Sequence, residues 1–165
     1  NQSNLRGVVP EEKMFAWKLC QDLLPVGARI HRANAERRCL AILDMGTTCL
    51  EVQDREHFFR VCELKGQIYR RLEMVLCKFL GKDVSFVEVI HLSFSHRNER
   101  KLRIAVWFAV KWLYKMWISK NDNRLQLMME MLKEIDWNVK TKRFSRSHGE
   151  LSELREILDS MKNTI

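Results

Sequence analysis

Along almost the whole chain, apolar residues recur three and four positions apart, and they rarely alternate as a half-buried strand would require. The pattern predicts an all-α fold. A first helix is expected from Pro10 to Leu24, with Phe15, Leu19 and Leu23 on one stripe and Trp17, Cys20 and Leu24 on a neighbouring one. Pro10 falls in its first turn, where the missing N–H costs nothing, and Pro25, Val26 and Gly27 stop it. A shorter helix around Ala28 to Ala35 follows. From Glu36 to Gln53 the period is lost, and Gly46, Thr47 and Thr48 read as a turn. Periodicity returns at Leu64, with Ile68, Leu72, Val75, Leu76 and Phe79 on one face and Gly81 as the C-terminal stop. Ser85 and Glu88 have capping-box spacing, which predicts a short helix over Phe86 to Leu92 despite the β-branched Val84, Val87, Val89 and Ile90.

The longest element is expected from Asn98 to about Ser119, on the order of 33 Å at 1.5 Å per residue. From Ile104 onward it is apolar nearly all round, carrying Trp107, Phe108, Trp112, Tyr114 and Trp117, a pattern that requires other helices on every side. Asn121, Asp122 and Asn123 break it. The next helix presents Met128, Met131, Leu132 and Ile135, and a basic connection from Lys140 to His148 leads to a last helix. There Leu151, Leu154, Leu158 and Met161 face inward, and Glu150, Glu153, Glu156 and Asp159 face out. The expected architecture is an irregular helical bundle around one long buried helix, a single domain over residues 1–165 with a small ligand loop at 36–62. The most apolar window, Ile104 to Ile118, is interrupted by Lys111 and Lys115 and falls short of the roughly 20 residues of a spanning helix. It reads as a core helix, and no membrane partner is expected.

Charge adds a direction to this picture. The 29 Lys and Arg outnumber the 21 Asp and Glu, a formal net charge of +8 that favours an anionic partner. A chain of 165 residues buries a core without disulfide staples. The odd count of five cysteines, the absence of a secretory leader and the first residue, Asn1, lead to the expectation of an excised piece of something longer. An intracellular, reducing setting, nuclear or cytoplasmic, goes with it.

Cys49, His57 and Cys62 are spaced as three ligands of a small zinc site, and Cys39, ten positions before Cys49, completes a Cys3His set of the kind a closed tetrahedral ion needs. Against this, the first two ligands of such loops typically lie about two to four residues apart, and position 42 is Ile42. The competing reading is that the cysteines are small buried hydrophobes and His57 caps or fills a core.

Basic residues form three groups. Arg97, Arg100, Lys101 and Arg103 follow His96 at the start of the long helix. Lys140, Lys142, Arg143 and Arg146 crowd the late connection with Phe144 among them, and Arg37, Arg38, Arg55 and Arg60 flank the ligand loop. Such groups track a phosphate backbone, and Phe144 offers a face for stacking. The competing reading is a solvated surface that only keeps the domain dispersed. Cations at a helix N-terminus oppose the macrodipole, which hints at a role other than stability. Trp107, Trp112 and Trp117, five apart, rotate around the helix and read as core; Met128, Met129 and Met131 read as gap-fillers before they read as an adaptable groove.

The run Phe15 through Leu24-Pro25-Val26-Gly27-Ala28-Arg29, then Cys39, Cys49, Asp54-Arg55-Glu56-His57-Phe58-Phe59 and Cys62, resembles the zinc-binding region that follows the polymerase in reverse transcriptases of non-LTR retrotransposons. The resemblance covers about a third of the chain, and the later helices resemble the hydrophobic helical tail of some of these elements. It implies a structural zinc held by Cys39, Cys49, His57 and Cys62, with Ile42 as the departure from the family's second ligand position. It also implies RNA or DNA as partner. Catalysis by this piece is not expected: it has no Asp-Asp pair for a polymerase metal site, no Gly-rich phosphate loop and no Ser nucleophile elbow. The expectation is a nucleic-acid-binding accessory domain. The alternative is a helical protein-interaction module with a vestigial metal site, and a membrane-active helical domain is a third reading.

Overall fold

A computed structural model of the chain describes residues 7–24, 49, 51, 63–92, 99–119, 124–141 and 148–162. Among them are six helices and no strand: α1 Pro10–Cys20, α2 Glu63–Leu80, α3 Phe86–Leu92, α4 Arg100–Ser119, α5 Arg124–Lys140 and α6 His148–Lys162. The fold is an all-α bundle, as the periodicity predicts. None of these helices is long and apolar enough to cross a membrane.

Helix α4 is the axis of the bundle and packs against each of the other five helices. Every residue from Ile104 to Leu113 is buried, nearly three turns without a solvent-facing side, which is the physical meaning of its all-round apolar pattern. Its aromatic residues interlock with the surrounding helices. Phe15 of α1 meets Tyr114 edge-on at 5.5 Å and lies 6.2 Å from Trp117, while Phe108 and Trp112 are 5.5 Å apart within α4 itself. Tyr69 of α2 and Phe86 of α3 close a second aromatic contact at 5.2 Å. Offset and edge-on pairs of this kind add about 0.5–1.5 kcal/mol each beyond their area.

The helix ends follow local chemistry. Pro10 opens α1 with Glu11 and Glu12 in the first turn, where carboxylates complement the dipole. The sequence reading carries α1 to Leu24, but it stops at Cys20 because Asp22 adopts a left-handed φ of 55°. Leu23 N–H then donates to Lys18 O at 2.7 Å and Asp22 N–H to Leu19 O at 3.3 Å, the paired bonds of a Schellman motif. That turn folds Leu24 back into the core; of the expected second stripe of α1, Leu24 is buried and Cys20 packs partly against the core, while Trp17 is 40% exposed.

Gly81 ends α2 as expected, with φ 70° and its N–H donating to Cys77 O at 2.8 Å. The Cys77 Sγ then lies 3.4 Å from both the N–H and the C=O of Val84, pinning the turn between α2 and α3. Ser85 caps α3: its Oγ accepts from Glu88 N–H at 3.2 Å and its C=O from Val89 N–H at 3.1 Å. The cap, with Phe86, Val89 and Ile90 buried at helical spacing, outweighs the strand preference of a β-branched run. On α6 the inward set is Leu151, Leu154, Leu158 and Met161, as the period predicts.

Candidate nucleic-acid interface

Of the four candidate zinc ligands, Cys39, His57 and Cys62 lie outside the described residues, as do Arg37, Arg38, Arg55 and Arg60 around them. Cys49 is described and is buried, 7% exposed. Among the described residues no three His, Cys, Asp or Glu side chains gather as a metal site.

The basic group at the start of α4 is divided by the fold. Arg97 lies outside the described residues, Arg100 is exposed and Arg103 is half-buried. Lys101 turns inward. Its Nζ donates to Phe79 O at 3.0 Å and to Glu153 Oε1 at 2.9 Å, and it stands 5.1 Å from the centroid of the Phe79 ring. One ammonium thus satisfies a carbonyl in the last turn of α2, where the dipole favours a cation, and ties α4 to α6. The unfavourable position at the head of its own helix is offset at the tail of another.

In the late basic group, Lys140 closes α5 and is exposed, while Lys142, Arg143, Phe144 and Arg146 lie outside the described residues. The solvent face of α5 carries more than the sequence reading took from it. Met128, Met131, Leu132 and Ile135 enter the core as expected, whereas Met129 points out and Trp137 is 60% exposed. Lys133 and Lys140 stand one turn to either side of Trp137.

Carboxylates on this helix are occupied within the bundle. Lys115 of α4 lies 3.5 Å from Glu134 Oε1 and 4.0 Å from Glu130 Oε2. Arg155 of α6 grips Asp136 with two bonds, Nε to Oδ1 at 2.6 Å and Nη2 to Oδ2 at 3.4 Å. The hydrogen bond first, and the Coulombic attraction of the same carboxylate second, hold the Arg155 guanidinium above its ordinary pKa. The acids of α5 therefore have partners on the neighbouring helices, and Lys133 and Lys140 are left to solvent.

Trp137 was legible in principle. The buried stripe of α5 passes through 128, 131, 132 and 135, and a residue two positions after Ile135 falls on the opposite side of the helix. No family model, curated protein or solved structure matches the chain.

Proposed function

We propose that this chain is a nucleic-acid-binding accessory domain of a retrotransposon-type reverse transcriptase, without catalysis of its own. The observation that carries the reading is the sorting of charge on α5: its acids are paired with Lys115 and Arg155 of the neighbouring helices while Lys133 and Lys140 stay in solvent, within a chain of net charge +8. Arg100 adds a further exposed cation at the head of α4. Cations placed this way neutralise phosphates and release their counterions, which sets both affinity and its salt dependence. A structural zinc held by Cys39, Cys49, His57 and Cys62 orders the loop that precedes α2, and the burial of Cys49 suits a closed ion better than an open catalytic one.

Binding of labelled RNA and DNA strands by fluorescence anisotropy across a salt series tests this. The logarithm of the affinity falls linearly with the logarithm of salt concentration; affinity that is flat with salt refutes it. Metal analysis of the purified chain finds about one zinc per molecule, lost in Cys62→Ser. A second reading, a helical protein-interaction module with a vestigial metal site, is favoured by the exposed apolar Val9, Met14 and Trp17 on and beside α1. It requires a folded, metal-free wild type that binds no nucleic acid.

A further inference from the structure

We propose that Trp137, bracketed by Lys133 and Lys140 on the solvent face of α5, is a stacking platform for an unpaired base of single-stranded nucleic acid. The proposal rests on the nucleic-acid reading above and assigns it a contact residue. Trp137 is the most exposed large apolar side chain among the described residues. The core does not use it: α5 buries Met131, Ile135 and Asn138 on the other side. An indole held in water on a well-packed helix is a flat, rigid π-face, and every base has a matching one.

The chemistry around the ring selects the occupant. Lys133 and Lys140 lie about 6 Å and 4.5 Å along the helix axis from Trp137, at 1.5 Å per residue, so a strand whose base covers the indole passes an ammonium on each side. Beside the ring a groove of about 370 Å³ between α4 and α5 is lined by Lys115, Glu130, Lys133, Glu134 and Trp137. Lys115 and Lys133 balance the two carboxylates there, so the groove holds no net charge to draw in a phosphate, while the carboxylate oxygens can accept from an N–H on the edge of a base, the N3–H of uracil included. Base in the groove and phosphates over the lysines is the arrangement these charges permit.

A duplex does not fit this surface, because its bases are stacked on one another and a side chain on a convex helix meets only their edges. A protein partner fits it less well. Trp137 is flanked on its own face by lysines and by the exposed Thr141, and the next exposed apolar residue, Met129, lies eight positions back. Cores of protein interfaces are depleted in lysine and built from contiguous apolar surface.

Anisotropy titrations of the full chain with a labelled oligouridine and with a blunt duplex of equal length test the assignment. Trp137→Ala weakens oligouridine binding about tenfold, leaves duplex binding unchanged and leaves the salt slope unchanged, because stacking releases no counterions. Trp137→Phe keeps most of the affinity, and the double variant Lys133→Gln, Lys140→Gln lowers the salt slope by about 1.4. Circular dichroism of the Trp137 variants matches wild type, since the side chain is mostly in solvent. Trp137→Ala binding oligouridine as tightly as wild type overturns the proposal. Unchanged binding together with lost self-association in sedimentation overturns it in favour of contact with a second copy. A wild type that binds neither strand overturns the nucleic-acid reading itself, a result distinct from either.

Discussion

The ammonium of Lys111 lies 2.8 Å from Glu12 Oε1, a pair formed across 99 positions of sequence and almost sealed from water, with side-chain exposures of 10% and 9%. Lys111 is one of the two lysines that interrupt the most apolar stretch of the chain, and Glu12 is the acid of the first turn of α1 that falls on its buried face. The pair fixes α1 on the central helix while the second carboxylate oxygen, Glu12 Oε2, finds no partner. Desolvation of two such ions is large enough to cancel most of their attraction.

Breaking that pair from one side is therefore expected to cost far more than removing it whole. Lys111→Met leaves a buried, uncompensated carboxylate and lowers stability by about 3–5 kcal/mol, whereas Lys111→Met combined with Glu12→Leu is neutral or stabilising. Urea denaturation reads both: the midpoint falls in the single variant and recovers in the double, with an unchanged slope. Additive effects of Lys111→Met and Glu12→Leu would show that the two side chains do not interact.

Two helix ends carry opposite expectations. Gly81 has φ 70° and open space where a Cβ would stand, so Gly81→Ala meets no neighbour and its cost, about 1 kcal/mol, is backbone strain alone. Asp22 already bears that strain at φ 55°, with a carboxylate at the negative end of α1. Asp22→Gly is expected to raise stability by up to about 1 kcal/mol. Thermal unfolding of the two variants should move the transition in opposite directions; a fall in both would mean that the Asp22 side chain stabilises more than its φ costs.

These ends also mark how far the sequence could be read. Gly81 and the Ser85–Glu88 spacing were legible because turn and cap chemistry is local, and the stripe Leu151, Leu154, Leu158, Met161 because burial on one face forces the helical period. Asp22 was not, since an aspartate in the left-handed region gives no signal of the kind glycine gives, and the length of α1 went with it. In sequence Lys101 looks like a binding cation and Lys111 like a polar interruption in a core helix. Their partners, Phe79 and Glu153 for one and Glu12 for the other, lie 22, 52 and 99 positions away and become visible only once the helices are packed. The spacing of Cys49, His57 and Cys62 is a local signal too, but a ligand set is a statement about convergence, and Cys49 alone of the four falls within the described residues.

The Arg155 and Asp136 pair gives a pH expectation with a definite sign. The folded-state pKa of Arg155 is raised, so its contribution is fully present below the ordinary arginine value and is lost only as pH rises through the still higher folded value. Stability from this pair is accordingly constant across the working alkaline range. Arg155→Lys removes the two-pronged grip and lowers stability by about 0.5 kcal/mol or less, because both side chains are close to half exposed. Denaturation at neutral pH and at about pH 9, below the range in which the introduced lysine titrates, should give the same difference between variant and wild type.

Arg100 and Lys101 are neighbours in sequence with separable roles. Lys101→Ala removes an ammonium that meets the Phe79 carbonyl, the Glu153 carboxylate and the Phe79 ring at once, and is expected to lower stability by about 1 kcal/mol, the modest figure reflecting its 44% exposure. Arg100 is exposed at the first turn of α4, where a cation opposes the dipole, so Arg100→Ala is neutral or slightly stabilising. In binding the order reverses. Arg100→Ala lowers the salt slope for a single strand by about 0.7, the loss of one phosphate contact, while Lys101→Ala leaves the slope unchanged. Measuring both variants for urea midpoint and for salt slope yields a crossed pattern if the fold has sorted these cations into one that builds the bundle and one that serves a ligand. Parallel losses in both measurements for Lys101→Ala would instead place its ammonium on the nucleic acid.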